Sequence, residues 1–295
     1  MNFDHLRALA AIVDEGTFEA AADLLGISPS AVSQRIRALE KSVGQVVVRR
    51  SVPCTPTEAG SVLLRMSRQV QVLEAETWES LGNGASSRTV TPLAVNADSL
   101  ATWFVDVLHE AGTWAETTLD LRVEDQDHSS QLLRRGDVLG AITSDPTPVN
   151  GCRAERLGHM RYLPVSTPGL RKRFKAGSGV DWQRMPMLQF NAKDNLQQLQ
   201  LKARGVQQAP PTHFIPSSEG FLAGLRAGLG WGMIPELQLG TDLADGSLVV
   251  LKEREHHDVA LYWQTWTLDS PRLDRVSKAI RKASRQKLRG AHPGG

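Results

Sequence analysis

Two short helices joined by a tight turn are predicted between residues 17 and 43, and this stretch constrains the fold more than any other. Thr17 can cap the first helix, because its hydroxyl can accept an amide proton of the first turn. Gly26 supplies the left-handed residue that ends a helix, and Ser28 with Pro29 opens the next one. The spacing predicts either a helix-turn-helix or an ordinary helical hairpin with a solvated outer face.

The second predicted helix has one apolar and one polar face. Val32, Ile36 and Leu39 recur at helical spacing and form a buried stripe. The opposite face combines small hydroxyls, an amide and cations, which suits a helix lying in the major groove of DNA. Glutamine can pair with adenine, serine with several base edges, and arginine or lysine with guanine or phosphate. This face therefore favours the helix-turn-helix interpretation.

A short hairpin is predicted directly after this helix. Residues 46–48 are three valines, residues 54–56 are the expected return strand, and Arg49 and Arg50 lie near the tip. Residues 25–70 contain seven Lys/Arg and two Asp/Glu, a net charge of +5, whereas the whole chain has +2. Concentrated positive charge is what phosphate binding requires, so the hairpin is interpreted as the wing of a DNA-binding domain.

The predicted DNA-binding residues have three roles. Base readout is assigned to Ser30, Ser33 and Gln34, with Arg37 as a further candidate. Phosphate or minor-groove contacts are assigned to Arg35, Arg49 and Arg50. The set is completed by the residues that open the two helices, Thr17, Ser28 and Pro29, and the amides at the N-terminus of the Thr17 helix can hold a phosphate.

A long helix is predicted from Thr57 to about Leu81. Its apolar positions alternate in steps of four and three: Ala59, Leu63, Met66, Val70, Leu73 and Thr77. A period near 3.5 predicts pairing with a second copy of the helix, and the alternative is packing on its own domain. Small residues at 82–87 then predict a hinge.

Strands alternate with helices over the rest of the chain. Strands are expected near 91–95, 119–124, 138–143, 162–165, 188–190, 213–216, 233–234 and 259–266, and a final helix near 273–288. This alternation indicates parallel α/β sheets. The pattern itself leaves open whether they form two lobes or one continuous sheet.

Polar residues follow several predicted strands, where open α/β sheets bind their ligands. The predicted ligand-binding residues are Asn96, Asp98, Ser99, Leu100, Glu124, Asp125, Thr143, Ser144, Ser217, Ser218 and Glu219. Helix N-termini suit a carboxylate, and the acidic side chains suit a cation. The mixture fits a ligand with both groups, such as lysine or arginine. The alternative is that these acids cap helices or face water.

Several other protein classes are excluded by the sequence. No apolar run is long enough for a membrane span and no secretion signal precedes the first helix, so a cytoplasmic protein without membrane contact is expected. Cys54 and Cys152 lie in different predicted domains, so no disulfide is expected. His256 and His257 lack a third ligand nearby, so neither a metal nor a cofactor is predicted. No catalytic triad order or phosphate loop is present, which argues against an enzyme.

Ordered motif blocks in this sequence resemble those of LysR-type transcriptional regulators. The N-terminal blocks are AAxxLxxSxSAVSQRIxxLE at 21–40, VGQ at 43–45 and PTEAG at 56–60. Later blocks resemble the ArgP/LysG branch, the regulators of basic-amino-acid export: LAVNADSLATW at 93–103, VEDQDH at 123–128, LLRRGDVLGAI at 132–142, SSE at 217–219 and GMIP at 232–235.

The resemblance implies a multidomain α+β protein. It implies a winged helix-turn-helix domain at 1–60 and a dimerisation helix with hinge at 61–88. It further implies an effector domain of the periplasmic-binding-protein type, with lobe I at 89–161 plus 267–295 and lobe II at 162–266. Two crossing strands are expected to join these lobes.

The resemblance also implies partners and a function. The expected partners are a double-stranded DNA operator, RNA polymerase, and further copies of the chain in a homodimer or homotetramer. Lysine or arginine is the expected effector, and activation of an exporter gene is the expected output. The alternative is a LysR-type regulator that responds to another amino acid or small carboxylate.

Overall fold

The computed structural model describes residues 2–81, 89–114, 117–123, 126–252 and 254–291. The predicted hinge at 82–87 and the predicted ligand residues Glu124 and Asp125 lie outside these described residues. Within them, no helix has the length and apolar character needed to cross a bilayer. The same residues contain no group of three or more histidine, cysteine or acidic side chains that could hold a metal ion.

Three helices and a two-stranded wing form the N-terminal unit: α1 (Phe3–Glu15), α2 (Phe18–Leu25), α3 (Pro29–Val43), β1 (Val48–Arg49) and β2 (Thr55–Pro56). The predicted caps are confirmed. Thr17 Oγ1 accepts the amide proton of Ala20 at 3.1 Å, and Ser28 Oγ accepts that of Ala31 at 3.2 Å. Gly26 ends α2 with φ of 64°, a left-handed conformation that glycine adopts without strain.

The long helix α4 (Glu58–Ser80) follows the wing and packs on α1. Leu64 is fully buried in the N-terminal core, and the Ser67 hydroxyl donates to the Leu6 carbonyl at 3.1 Å. Met66 and Leu73 of the predicted dimer seam are exposed on the single chain. Their exposure leaves an apolar stripe on α4, and its pairing with a second chain stays a prediction.

The remaining described residues form an α/β domain. Its first elements are β3 (Thr89–Val95), α5 (Ala97–Ala101), α6 (Val105–Ala111), β4 (Thr117–Val123), α7 (Gln126–Arg135), β5 (Gly140–Thr143) and β6 (Cys152–Ser166). Next come α8 (Pro168–Arg173), β7 (Lys175–Ala176), β8 (Gly179–Val180), β9 (Met187–Gln189), α9 (Leu196–Lys202), β10 (Thr212–Phe214), α10 (Ser218–Arg226), β11 (Gly232–Pro235) and β12 (Val249–Val250). The last are β13 (His257–Trp266) and α11 (Pro271–Lys287).

Two long antiparallel strands, β6 and β13, join the two lobes of this domain. On the lobe I side, β5 pairs with β13, and β3 lies parallel between β5 and β4. On the lobe II side, β11 and β12 pair antiparallel with β6, and β9 with β10 forms a separate parallel pair. Parallel pairing is thus confirmed within each lobe, while the crossing strands make the main ladder continuous from one lobe into the other.

The main hydrophobic core surrounds the crossing strands and holds the strand ends in place. Trp263 of β13 is buried, and its indole donates to the Ser277 hydroxyl of α11 at 3.0 Å. Gly140 opens β5 directly over this ring, where an added Cβ would lie 2.1 Å from the indole. The close approach fixes β5, and with it the strand end that reaches the space between the lobes.

Candidate functional site

A cavity of about 560 Å³ lies between the two lobes of the α/β domain. From the lobe I side it is lined by Asn96, Ala97, Asp98, Val123 and Ser144. From the crossing strands and lobe II it is lined by Tyr162, Phe190, Lys193, Asp194, Leu199, Ser218, Phe221, Met233, Gln238 and His257, among others. The position between lobes at strand ends is where α/β folds bind small ligands.

The carboxylate of Asp98 joins both lobes at this cavity. Tyr162 Oη donates to Asp98 Oδ2 at 2.7 Å, and Ser218 Oγ donates to Asp98 Oδ1 at 2.7 Å. Burial raises the pKa of Asp98 above its ordinary value, against the two hydroxyl donors, which lower it. Burial, followed by the charge of Asp98, raises the pKa of Tyr162 well above its ordinary value. Tyr162 is therefore a neutral donor to this carboxylate at physiological pH.

Two helix N-termini meet the same cavity. Asn96 Oδ1 accepts the Ser99 amide proton at 2.7 Å and caps α5, while Asn96 Nδ2 is buried without a hydrogen-bond partner among the described residues. Ser217 Oγ accepts the Gly220 amide proton at 3.1 Å and caps α10. First-turn amides have no acceptor within their own helix, so the backbone amide of Ser218 is a donor suited to an anion. The side-chain Nδ2 group of Asn96 is a second such donor.

The loop between β9 and α9 forms the lobe II wall. Gln189 Nε2 donates to the carbonyl oxygens of Asn191 at 2.8 Å and Asp194 at 2.6 Å. The carboxylate of Asp194 accepts the amide protons of Phe190 and Leu196, each at 3.1 Å. These hydrogen bonds fix the loop without a partner from another chain, so its cavity-facing side is preorganised.

Among the described residues, the charged groups that line the cavity carry a net formal charge of −1. Asp98 and Asp194 contribute two carboxylates, Lys193 contributes one ammonium, and His257 is counted as neutral. Phe190 and Met233 among the lining residues add apolar surface. The cavity wall therefore combines carboxylates, an ammonium and apolar surface.

Four of the predicted ligand residues line this cavity: Asn96, Asp98, Ser144 and Ser218. Two others, Ser99 and Leu100, lie in α5 outside the lining set, and the buried Ser99 hydroxyl accepts the Trp103 indole proton at 3.0 Å. The structure thus brings the ends of β3, β5 and the loop before α10 together at one place.

The remaining predicted ligand residues lie beside the cavity. Thr143 is buried at the end of β5, and its Oγ1 accepts the Asp145 amide proton at 3.1 Å. Ser217 and Glu219 flank Ser218 on the exposed side of α10, where the Ser217 hydroxyl donates to Glu219 Oε2 at 3.1 Å. Their side chains organise the strand and helix ends rather than line the cavity.

The sequence interpretation missed several lining residues: Tyr162, Phe190, Lys193, Asp194, Gln238 and His257. Lys193 and Asp194 follow β9, so the strand-end rule applied to the strand predicted at 188–190 could have found them. Tyr162 and His257 lie on the crossing strands, and no local pattern in the sequence marks them.

A second functional surface is the polar face of α3. Ser30, Gln34 and Arg37 are exposed along it, and Ser33 is half-buried. The hydroxyls of Ser28 and Ser30 share a hydrogen bond at 2.9 Å. In the described part of the chain, the side chains of Ser33, Gln34 and Arg37 make no hydrogen bond or ion pair, which leaves them able to reach base edges.

The arginines near this surface differ in their surroundings. The guanidinium of Arg50 stacks over the Phe18 ring, 5.0 Å from its centroid, which holds the wing tip beside the N-terminus of α2 at Thr17. Arg49 is exposed, whereas Arg35 is half-buried and forms an ion pair with Asp4 at 3.8 Å. The structure therefore places the wing tip beside the N-terminus of α2.

The combined architecture defines a class. A winged helix-turn-helix, a long helix and a two-lobed α/β domain with an interlobe cavity form a ligand-responsive bacterial transcriptional regulator. Residues 3–61 match the family model of bacterial regulatory helix-turn-helix proteins of the lysR family, and residues 93–285 match the LysR substrate binding domain. The chain belongs to the LysR family of transcriptional regulators, which is a family of regulators and not of enzymes.

Relatives similar over nearly the whole chain lie in the LysG and ArgP branch. The lysine export transcriptional regulatory protein LysG of Corynebacterium efficiens is 49% identical, over 98% of this chain and 100% of that protein. The crystal structure of ArgP from Mycobacterium tuberculosis superposes with a TM-score of 0.89 at 47% identity, covering 97% of this chain and 98% of that one.

Two structures of a further relative are also similar to this chain. Full-length LysG from Corynebacterium glutamicum with bound effector Arg gives a TM-score of 0.86 at 44% identity, covering 98% of this chain and 100% of that one. Full-length LysG from the same organism, in a second structure, gives 0.65 at 43% identity, covering 98% and 99%. The two values differ although the coverage is nearly the same.

Proposed function

We propose that this LysR-type regulator binds lysine or arginine in the interlobe cavity and activates the gene of a basic-amino-acid exporter in response. The observation that carries the proposal is the desolvated Asp98 carboxylate, which lines a cavity whose charged groups sum to −1. A buried carboxylate with a raised pKa is stabilised most by a bound cation, which offsets the cost of removing the charge from water.

The chemistry of the lining residues supports a basic amino acid. Each oxygen of Asp98 accepts one hydroxyl proton and keeps a further lone pair for an ammonium or guanidinium group. Asn96 Nδ2 and the first-turn amide of Ser218 are donors for the ligand carboxylate. The aliphatic stem of lysine or arginine suits the apolar surface of Phe190 and Met233.

The relatives support the same assignment. A lysine export regulator is 49% identical over nearly the full length of this chain, and a 44% identical LysG structure contains the effector Arg. The competing assignment is another amino acid or a small carboxylate. It is supported by the donors for a carboxylate, Asn96 Nδ2 and the Ser218 amide, which would bind any such ligand. It would require the cavity to accept a ligand without a side-chain cation beside Asp98.

We assign DNA recognition to the α3 face and the wing. Ser30, Ser33 and Gln34, with Arg37, read bases in this proposal. Arg35, Arg49 and Arg50 contact phosphates, together with the helix N-termini at Thr17, Ser28 and Pro29. The exposed stripe of α4 pairs two copies, so that a dimer or tetramer reads neighbouring half-sites on the operator.

Regulation in this proposal is a linkage between two binding events. A ligand held between the lobes favours one arrangement of the domains, which changes how the dimers sit on DNA and their contact with RNA polymerase. The domain division proposed for this mechanism is 1–60, 61–88, lobe I at 89–161 with 267–295, and lobe II at 162–266.

Calorimetric titration of the full-length protein with arginine, lysine, alanine and glutamate tests the ligand assignment. Binding of arginine or lysine, with no heat from alanine or glutamate, is the expected result. Binding of alanine or glutamate with equal affinity would overturn the basic-amino-acid assignment and favour the competing one. A transcription assay on the promoter of a basic-amino-acid exporter gene, with and without the bound amino acid, then tests activation.

A further inference from the structure

Arg68, in the middle of α4, forms ion pairs with two different domains. Its Nη2 donates to Asp14 Oδ1 at 2.7 Å, and Asp14 lies in the last turn of α1 in the DNA-binding unit. Its Nη1 donates to Asp137 Oδ1 at 2.6 Å, and Asp137 lies between α7 and β5 in lobe I. The side chains of Arg68 and Asp137 are 15% and 17% exposed, so water screens this pair only partly.

The neighbouring contacts of α4 each involve only one of these domains. Arg65 donates to the Asn150 carbonyl at 3.1 Å, which is a contact with the α/β domain. Arg7 of α1 lies 3.8 Å from Glu74 of α4, which is a contact with the DNA-binding unit. Within the described ranges, Arg68 is the one side chain whose ion pairs reach both domains.

A groove of about 650 Å³ separates the end of α1 from the edge of lobe I at this place. Val13 and Asp14 line it on one side, and Pro92 and Asp120 line it on the other, with Arg68 between them. A polar link across an open groove can break and re-form at little packing cost, unlike a filled hydrophobic contact.

The Asp137 end of this link leads directly to the interlobe cavity. Asp137 donates its amide proton to the Leu132 carbonyl at 2.8 Å, and Leu139 donates to the Pro92 carbonyl of β3 at 2.8 Å. The chain then enters β5 and reaches Ser144, which lines the cavity. The carboxylate that holds Arg68 and the cavity wall at Ser144 are therefore the two ends of one short, fixed segment of chain.

Two structures of LysG from Corynebacterium glutamicum differ in their similarity to the present chain. Against the present chain the two structures give TM-scores of 0.86 and 0.65 at 98% coverage of this chain. The present chain is thus more similar to the LysG structure with bound effector Arg, and in the present chain Arg68 bridges the two domains.

We propose that Arg68 is a two-sided tie that holds Asp14 of the DNA-binding unit and Asp137 of lobe I. Through these two ion pairs, ligand binding in the interlobe cavity is coupled to the conformation of the helix-turn-helix. The proposal rests on the proposed binding of a basic amino acid. It adds the residue that couples this binding to the DNA-binding unit. Each contact is a charge-assisted hydrogen bond from a different nitrogen of the same guanidinium, so one side chain holds a carboxylate of each domain.

Hydrogen–deuterium exchange of the full-length protein, with and without arginine, tests the tie. Arginine is expected to slow exchange around Asp98 and to change exchange at the last turn of α1, residues 12–16. In Arg68→Gln, arginine is expected to slow exchange around Asp98 as in the wild type. The change in exchange at residues 12–16 is expected to be smaller by roughly fivefold or more, the lower end of usual coupling factors. If Arg68→Gln fails to fold, Asp14→Asn and Asp137→Asn replace it in the test. Both leave Arg68 in place, and both are expected to have the same effect on exchange.

Arg65→Gln and Arg7→Gln are the matched controls, since each removes a guanidinium that contacts one domain only. They are expected to leave the change at 12–16 in place, and a loss as large as that of Arg68→Gln would overturn the tie. An unchanged response in Arg68→Gln would overturn it as well. If arginine fails to protect the cavity of the wild type, the proposed ligand is wrong. The tie is then judged without ligand, where Arg68→Gln must speed exchange at 12–16.

Discussion

Replacing Asp98 by asparagine separates the ligand-binding role of this carboxylate from its structural role. Asparagine has nearly the same shape, so Tyr162 can still donate to Oδ1, and the new Nδ2 can donate to the Ser218 hydroxyl, which also accepts. The substitution therefore removes a negative charge from the cavity while both hydrogen bonds to the neighbouring lobes can be kept.

The expected loss of affinity follows from the strength of a charged hydrogen bond. Such a bond contributes about 1.5–3 kcal/mol in a partly buried site. At about 1.4 kcal/mol per tenfold change, Asp98→Asn should weaken binding of arginine or lysine by roughly 10- to 150-fold. Burial already raises the pKa of Asp98, so the folded state is destabilised by the charge at neutral pH. The Tm of the ligand-free variant should therefore be unchanged or higher.

Titration calorimetry with arginine gives the affinity, and thermal unfolding without ligand gives the Tm. Glu219→Gln is the matched control, because Glu219 is an exposed carboxylate close to the cavity that does not line it. It should bind arginine nearly as the wild type does. Wild-type affinity in Asp98→Asn, or an equal loss in Glu219→Gln, would refute the role given to Asp98.

Four further perturbations test the remaining conclusions. Effector affinity should fall as pH drops through the raised pKa of Asp98, by up to about tenfold per pH unit below it, and calorimetry at several pH values measures this. Gln34→Ala should reduce the free energy of operator binding by about 1–3 kcal/mol and relax specificity at one base. Arg49→Ala should weaken binding to all DNA sequences alike, and a gel-shift series distinguishes the two effects. Gly140→Ala would place a Cβ 2.1 Å from Trp263 and should lower the free energy of unfolding by about 1–3 kcal/mol or more, measured by urea titration.

The N-terminal unit could be predicted from sequence because its signals are local. A cap acts within one turn, so Thr17 and Ser28 could be assigned their amide partners three residues ahead. The wing strands were expected at 46–48 and 54–56, and the structure has them at Val48–Arg49 and Thr55–Pro56. Nothing local in the sequence indicated that Arg50 would stack on Phe18, because the two residues come from different elements.

The crossing strand β6 was only partly predicted. The sequence indicated a strand at 162–165, whereas β6 begins at Cys152. Its first half contains charged residues that hide the strand pattern, and their partners lie far along the chain. Glu155 accepts both hydrogen bonds from Arg281 of α11, and Arg161 pairs with Asp258 of β13. These distant partners help to make a charged strand acceptable beside the core.

The sequence by itself determined the helices and caps of the N-terminal unit, their apolar faces and the carboxyl ends of several strands, since these depend on residues a few positions apart. Tertiary structure decided which strand ends share a cavity and which acids face it. Asp98 meets Tyr162 and Ser218, which are 64 and 120 residues away. Arg68 likewise bridges carboxylates 54 residues before it and 69 residues after it. Contacts at such separations depend on how whole lobes pack, and no periodicity along the chain encodes that packing.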